Sequence, residues 1–490
     1  MTYLLALDQG TSSSRSILFD RLGNIVCSAQ QEFPQYFPQA SWVEHQAEEI
    51  WQSQLHTIHS VIRQSGIAVQ QIAALGITNQ RETCIVWNKK TGEPIYPAIV
   101  WQDRRTSIFC DELRAAGYSD LIQQKTGLVI DPYFSASKLR WILDHVPHAR
   151  VQAQQGLLAF GTVDSWLAYQ LSGKQLHVSD VTNASRTMLW NIHTNEWDQE
   201  LLALFDIPTS LLPEVYPSSH RFGNCTLFNH PIPIASMVGD QQAALFGQAC
   251  FSDGMAKNTY GTGCFLLAHT GDICQPSQHG LISTSAAQIN QSKQFALEGS
   301  VFIGGAVVQW LRDQMHFIQS SNEIESLVST VPDADGVIFV PAFSGLGAPY
   351  WNADAKGAIF GLHRGTTQAH IARAAVEAIA FQTTELLIAM QHDQHGQIKE
   401  LRVDGGASAN NTLLQLQADL LGIPVIRPKI TETTALGAAY LAGLSVGVFS
   451  TLAECNSLWQ EDCRFYPSIS YTQAQSQLSA WKKAVQRLLL

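Results

Sequence analysis

Short apolar runs, separated by breaks rich in glycine and hydroxyl side chains, open the chain. Residues 4–7 are apolar, 8–14 form a polar Gly/Ser/Thr stretch, and 16–19 turn apolar again. A turn over 20–24 then leads into 25–27. This pattern predicts a β-meander. Over 44–62 the spacing lengthens to that of a helix, with Ile50, Leu55, Ile58 and Ile62 recurring on one face. A strand over 73–77 leads to Asn79-Gln80-Arg81-Glu82, and 84–87 reads as its partner strand. Strands and helices alternate onward, which argues an α/β fold.

The second half restarts the same grammar. Residues 255–260 are extended, Gly261-Thr262-Gly263 makes a tight turn, and 264–268 are apolar. A small-residue hairpin therefore opens each half, and 249–254 is the least structured joint between them. The expected division is 1–250 and 251–490. No short-period repeat is present, which excludes solenoids.

Composition narrows the class. The chain has 490 residues, 46% hydrophobic and 14% charged, far from the composition of disorder. Its net charge of −11 and the lack of a basic stripe argue against a nucleic-acid partner. Nine cysteines are scattered without a Cys-x-x-Cys, which fits a reducing compartment better than a disulfide framework. No apolar run reaches the ~18 residues of a membrane span, and the N-terminus lacks a signal-peptide pattern. A soluble, cytoplasmic protein without membrane insertion is the expectation.

On such an acidic protein, an anionic ligand must be held by local devices. The stretch Asp8-Gln9-Gly10-Thr11-Ser12-Ser13-Ser14-Arg15 offers one: Gly10 permits close backbone approach, successive amides can form an anion nest, and Arg15 adds a cation. Asp8, at a strand end, could hold Mg²⁺ through water. A solvated hairpin loop is the competing reading, and no G-x-x-x-x-G-K-[ST] occurs anywhere. Gly261-Thr262-Gly263 is the natural second clamp, or an ordinary turn. Asp240 falls where an extended stretch gives way to a helix, placed either to act on a ligand or to cap the helix.

Arg81-Glu82 joins a donor to an acceptor, which suits neighbouring hydroxyls, although a surface turn would look the same. Trp101 could lie along polyol carbons or belong to the core. In Leu401-Arg402-Val403-Asp404-Gly405-Gly406-Ala407-Ser408 a strand ends in a small-residue turn before Asn410-Asn411 opens a helix, and the small residues 435–439 suggest a helix packed closely on that turn. The histidine pairs 56/59, 145/148 and 392/395 lack a third ligand, which argues against zinc. A Gly-x-Ser-x-Gly elbow is missing, which argues against a serine hydrolase.

Taken in order, these strings resemble the FGGY family of sugar and polyol kinases over nearly the whole chain. The resemblance runs through 7–15, 76–83, 126–135, 239–247 and 258–264, and through two family signatures at 133–145, containing Lys138 and Trp141, and 357–377. Several strings are specific to the members that phosphorylate glycerol. The resemblance implies an actin-like α/β ATPase fold of two ribonuclease-H-like domains with a cleft between them. It implies the reaction of ATP with glycerol to give ADP and sn-glycerol 3-phosphate, with Mg²⁺, in a homodimer or homotetramer.

Carried over by position, Arg81, Glu82, Tyr133 and Asp240, with Gln241, match glycerol-binding residues, and Trp101 and Phe265 match the wall along its carbons. Asp240 matches the catalytic position. Thr11, Ser12, Ser13 and Arg15 match the first phosphate loop, Thr262 the second, and Gly305, Gln309, Gly406 and Asn410 the nucleotide pocket. Asn352 departs from the Asp common in relatives. Another polyol or ketose kinase of the family is the nearest alternative, and an actin- or Hsp70-like ATPase the more distant one. Some relatives bind fructose 1,6-bisphosphate on a glycine-rich loop carrying an arginine. Here 218–236 has the single glycine Gly223, with Pro231 at the arginine position, and the acidic C-terminal tail of such relatives is missing, so insensitivity is expected.

Overall fold

The computed structural model describes residues 2–352, 354–393 and 397–490, so His395 of the histidine pairs lies outside the described residues. The opening meander forms as its pattern predicts, from β1 (Tyr3–Gln9), β2 (Ser13–Asp20) and β3 (Ile25–Glu32), paired antiparallel in sequence. Helix α1 (Ala47–Ser65) starts three residues later than its periodicity suggests, because Glu44 and His45 pair with Ala98 and Ile99 as a short ladder. Strand β4 (Ile72–Asn79) adds parallel to β1, and helix α2 (Ser135–His145) belongs to a lobe on the far side. Strands β5 (Ser219–Cys225) and β6 (Ile232–Gly239) complete a six-stranded sheet in the order β5-β6-β4-β1-β2-β3. Helix α3 (Asp240–Gly247) follows β6 directly.

The second half repeats the plan. Strands β7 (Ala256–Tyr260), β8 (Cys264–Gly271), β9 (Ile282–Ser285) and β10 (Phe295–Val301) pair antiparallel. Helices α4 (Ala306–Asp313) and α5 (Gln368–Asp393) then lead to β11 (Leu401–Asp404), which lies parallel to β7. After helix α6 (Asn411–Leu421) and strand β12 (Val425–Pro428) come helix α7 (Thr433–Val446), strand β13 (Glu461–Phe465) and helix α8 (Tyr471–Leu489). The sheet order is β9-β10-β8-β7-β11-β12-β13. Each sheet joins an antiparallel set to two parallel strands and ends on an antiparallel edge strand, the ribonuclease-H-like plan expected above. No helix among the described residues is long and apolar enough to cross a membrane.

Two expectations are corrected. The partner strand over 84–87 forms as Ile85–Asn88 but pairs with Leu158–Gly161, outside the main sheet. The turn at Arg81-Glu82 sends it away: Glu82 has φ 62°, and Cys84 is hydrogen-bonded to Ile99 rather than to β4. The small residues of α7 do not serve the 405–408 turn. They cross α3 and the first sheet, burying Ala435, Ala438, Ala439 and Ala442 against Leu4, Ala6, Val238 and Phe246. At this crossing a Cβ on Gly437 would overlap the Ala243 carbonyl, and one on Gly247 the Thr433 carbonyl. The glycines set the closest approach of the two helices.

Gly437→Ala should therefore lower the urea unfolding midpoint by an amount equivalent to about 1–3 kcal/mol, the usual cost of overpacking. Gly406→Ala, where a Cβ meets nothing within 4 Å, should leave the midpoint unchanged.

Candidate active site

Three parallel neighbours, β6, β4 and β1, end side by side, with Gly239 opposite Asn79 and Asn79 opposite Gln9. Ligands of open α/β sheets lie off the carboxyl ends of such strands. Asp8 is the penultimate residue of β1, and Arg81-Glu82 and Asp240 follow the ends of β4 and β6, which explains how residues so distant in sequence meet.

Arg81 is the hub. Its two terminal nitrogens donate to both carboxylate oxygens of Glu298, from β10 of the second half, at 2.6 and 2.9 Å, and Nη1 also donates to Gln242 Oε1 at 3.1 Å. Its Nε lies 3.1 Å from Asp240 Oδ1 and 3.9 Å from Glu82 Oε1. Arg186 mirrors it, donating from Nε to Glu82 at 2.6 Å and from Nη2 to Glu298 at 3.1 Å, beneath the rings of Tyr133 and Phe134. Glu82 is a non-glycine residue in the left-handed region, a conformation costing about 1–3 kcal/mol that surrounding bonds must hold. The Arg186 bond and a hydroxyl donated by Ser135 to the Glu82 carbonyl do so.

The charges set one another. Burial pushes the Glu298 carboxyl up, but Arg186 and Arg81 outweigh it and hold it at about 2. Burial raises Glu82, with the same two guanidinium groups opposing. Asp240 is raised by burial and drawn back by Arg81 and Lys257, with 29% of its side chain still open to the cleft. Trp101, Tyr133 and Phe265 gather beside this cluster, the Trp101 ring centroid 5.7 Å from Tyr133 and 6.3 Å from Phe265. Lys138, fully buried in α2, donates to the carbonyls of Tyr133 and Phe134 and so fixes the turn that presents Tyr133.

Next to this pocket lies a cleft of about 640 Å³ between the halves, a size suited to a small ligand. Asp8, Ser12, Ser13 and Arg15 line one side, and Thr259, Gly261, Asp404, Gly406, Arg427 and Glu432 the other. Arg15 is paired with Glu432 across it at 2.7 Å. Burial first, with Glu432 and Asp240 adding and Arg15 opposing, lifts the Asp8 carboxyl to about 6.

The remaining expected residues flank the cleft without lining it. Thr11 accepts the indole N–H of Trp101 at 2.9 Å. Thr262 is exposed at its turn, Gly305 donates its amide to Gly261 O at 2.8 Å, and Gln309 is exposed on α4. The Asn410 side chain caps α6 by accepting from the Leu413 amide. Ser14, grouped with the loop hydroxyls on sequence, instead turns inward to Ser53 of α1 at 2.8 Å, because β2 has already begun and alternate residues face the core. Gln241, next to Asp240, accepts from Lys257 at 2.5 Å.

Sequence reasoning passed over Arg186, Lys257, Glu298, Arg427 and Glu432. Two left a signal: Lys257 and Glu298 stand as lone charges in strands, and such residues are almost never fully buried unless paired.

Comparison with known proteins identifies the family. The profiles of the FGGY family of carbohydrate kinases match here, the N-terminal domain over residues 3–247 and the C-terminal domain over 256–446. The chain is 60% identical to a glycerol kinase of Ralstonia nicotianae, across 100% of this chain and 99% of that one. It is 59% identical to a glycerol kinase of Delftia acidovorans, across the full length of both. Among solved structures it is similar to Plasmodium falciparum glycerol kinase with ADP, with a TM-score of 0.92, 36% identity, and coverage of 100% of this chain and 99% of that one. A Lactobacillus acidophilus xylulose kinase, at 22% identity and a TM-score of 0.89 over 100% and 99% of the two chains, shares the fold. Two matching domain profiles and near-identical length in the relatives place this chain in the FGGY family of carbohydrate kinases.

Proposed function

We propose that this chain transfers the γ-phosphoryl group of ATP to a terminal hydroxyl of glycerol, releasing ADP and sn-glycerol 3-phosphate. One observation carries the reading. The carboxylates of Glu82 and Asp240 gather on Arg81, the rings of Trp101, Tyr133 and Phe265 gather together, and a cleft sized for a nucleotide lies between the halves. Carboxylates accept from the hydroxyls of a polyol, and the aromatic rings cover its carbons. The relatives at 58–60% identity, each named glycerol kinase, support the choice of acceptor.

Phosphoryl transfer asks a protein chiefly for positioning and charge neutralisation. Asp240 orients the attacking hydroxyl and accepts its proton as transfer proceeds, since a carboxylate is too weak to ionise a free alcohol beforehand. Arg81 holds Asp240 in place through Nε. Ser12, the backbone of the hairpin around it, Arg15 and Arg427 face the phosphate side of the cleft.

Asp8 is the residue that would hold Mg²⁺, through water. The fit is chemical: a hard oxygen donor, half-buried in the cleft wall and crowded by Glu432 and Asp240, whose ionisation is disfavoured until a cation joins it. Bound there, Mg²⁺ would offset the charge of the triphosphate. A homo-oligomeric state and a cytoplasmic location belong to the same reading.

ADP release measured with Mg-ATP against glycerol, xylulose, gluconate and related acceptors should show turnover on glycerol, and turnover on a ketose alone would overturn the proposal. Asp240→Asn should cut kcat by roughly 10²–10⁴-fold while glycerol KM stays within about threefold, because the amide still hydrogen-bonds. Asp240 is a cleaner kinetic probe than Arg81, whose truncation leaves buried Glu298 with Arg186 alone and costs about 3–5 kcal/mol.

Asp8 gives a stability test whose sign is fixed. Its folded pKa, about 6 against 3.8, means the native state holds the proton more tightly than the unfolded chain. Ionisation therefore costs stability, by nothing below pH 3.8 and fully above pH 6. In ligand-free, metal-free buffer, Asp8→Asn should be more stable than the parent by about 1–3 kcal/mol at pH 7.5. Denaturant midpoints should show that gain shrinking as the pH falls toward 4.

A further inference from the structure

Lys257, on β7 of the second half, is fully buried, yet no carboxylate among the described residues lies within ion-pair distance of it. It donates to Gln241 Oε1 at 2.5 Å and to Thr259 Oγ1 at 2.8 Å. Thr259 in turn gives its only hydroxyl proton to Asp404 Oδ1 at 2.5 Å. Asp404 also receives Gln248 Nε2 at 2.8 Å and Thr433 Oγ1 at 2.6 Å. The direction of this chain is fixed at both ends. Asp404 has only acceptors to offer, so the Thr259 oxygen must accept from Lys257, and an ammonium can only donate.

A primary amide can present either its oxygen or its NH₂ to a ligand. With Oε1 held by Lys257, Gln241 has one free face, Nε2, which donates to no protein acceptor among the described residues. The pocket needs such a donor. Glu82 and Asp240 accept, so the hydroxyls of a bound polyol donate to them and their oxygens then seek N–H groups. Arg81 can spare few: three of its five N–H groups already go to Glu298 and Gln242, and Nε faces Asp240.

We propose that Lys257 is a positioning residue that fixes the hydrogen-bond polarity of the acceptor pocket, locking Gln241 as a donor to a substrate hydroxyl oxygen. The proposal rests on the glycerol reading above and extends it to a residue that touches no substrate. A flipped amide would leave that oxygen facing lone pairs.

The test uses full-length enzyme and steady-state kinetics in glycerol and in ATP. Gln241→Glu keeps the heavy-atom outline, gives the buried ammonium a charged partner, and replaces the NH₂ by an acceptor. It should raise glycerol KM ~10-fold or more, leave ATP KM within about twofold, and not lower the melting temperature. Unchanged glycerol KM in Gln241→Glu overturns the proposal by itself, even if Lys257 variants do not fold. Lys257→Met should raise glycerol KM by a similar factor in the parent but less than about twofold in a Gln241→Leu background, since the two residues act as one unit. An equal effect in both backgrounds, or an effect on ATP KM alone, overturns it too. A parent enzyme with no glycerol turnover would bring down the functional reading and this assignment together. A parent that turns over glycerol, with wild-type variants, brings down the assignment alone.

Discussion

Glu298 is a carboxylate of the second half buried between two arginines of the first, and the acceptor pocket takes its shape from it. With Arg81 and Arg186 on one carboxylate and Glu82 on Arg186, two positive and two negative charges cancel in a volume closed to water. Burying such a set adds little net stability, because desolvation consumes most of the Coulombic gain, but removing any member is expensive. One guanidinium nitrogen of Arg186, Nη1, is left without an acceptor among the described residues. The cluster is thus better understood as a fixture of geometry than as a source of stability. It aims the Nε of Arg81 at Asp240, holds Glu82 in its left-handed turn, and fixes how closely the halves approach at the floor of the cleft.

Around that fixture the chain solves an electrostatic problem. A protein of net charge −11 must receive a polyanion beside four of its own carboxylates, Asp8, Asp240, Asp404 and Glu432. It does so with few cations placed close in, Arg15 and Arg427 on opposite walls, and with backbone amides at tight turns. Short-range devices of this kind act in a cleft with limited water, where the field of distant surface charge is screened within about 10 Å.

Much of this was legible in the sequence because it is encoded locally. The meander follows from short apolar runs bounded by turn residues, and Asp240 is marked by a strand giving way to a helix. The Arg81-Glu82 pair is visible as an adjacent donor and acceptor. The cluster that positions them was not legible, because its information is non-local: Arg81 and Glu298 stand 217 residues apart, and nothing near either names the other. The role of Lys257 was hidden in a similar way, since Gln241 stands on α3 in the other half and Asp404 is reached only through Thr259. Ser14 misled in the opposite way, since composition marked it as loop although the strand's alternation had already turned it inward. The helix 433–446 revealed its small residues but not what they pack against, because a stripe of Ala and Gly fits any close neighbour.

That helix also has a consequence in time. Leu4, Ala6, Phe19, Val238, Ala243 and Phe246 of the first half are covered by Ala435, Ala438, Leu441 and Phe449. The ribosome makes the covered strand first and its cover nearly last. At ~5–20 residues per second the stretch from Gly247 to Ala435 takes roughly 10–40 s, during which the finished first half carries an apolar stripe still without its cover. Until α7 emerges near the end of synthesis, the first half lacks the close-packed cover that Ala435, Ala438 and Leu441 give it.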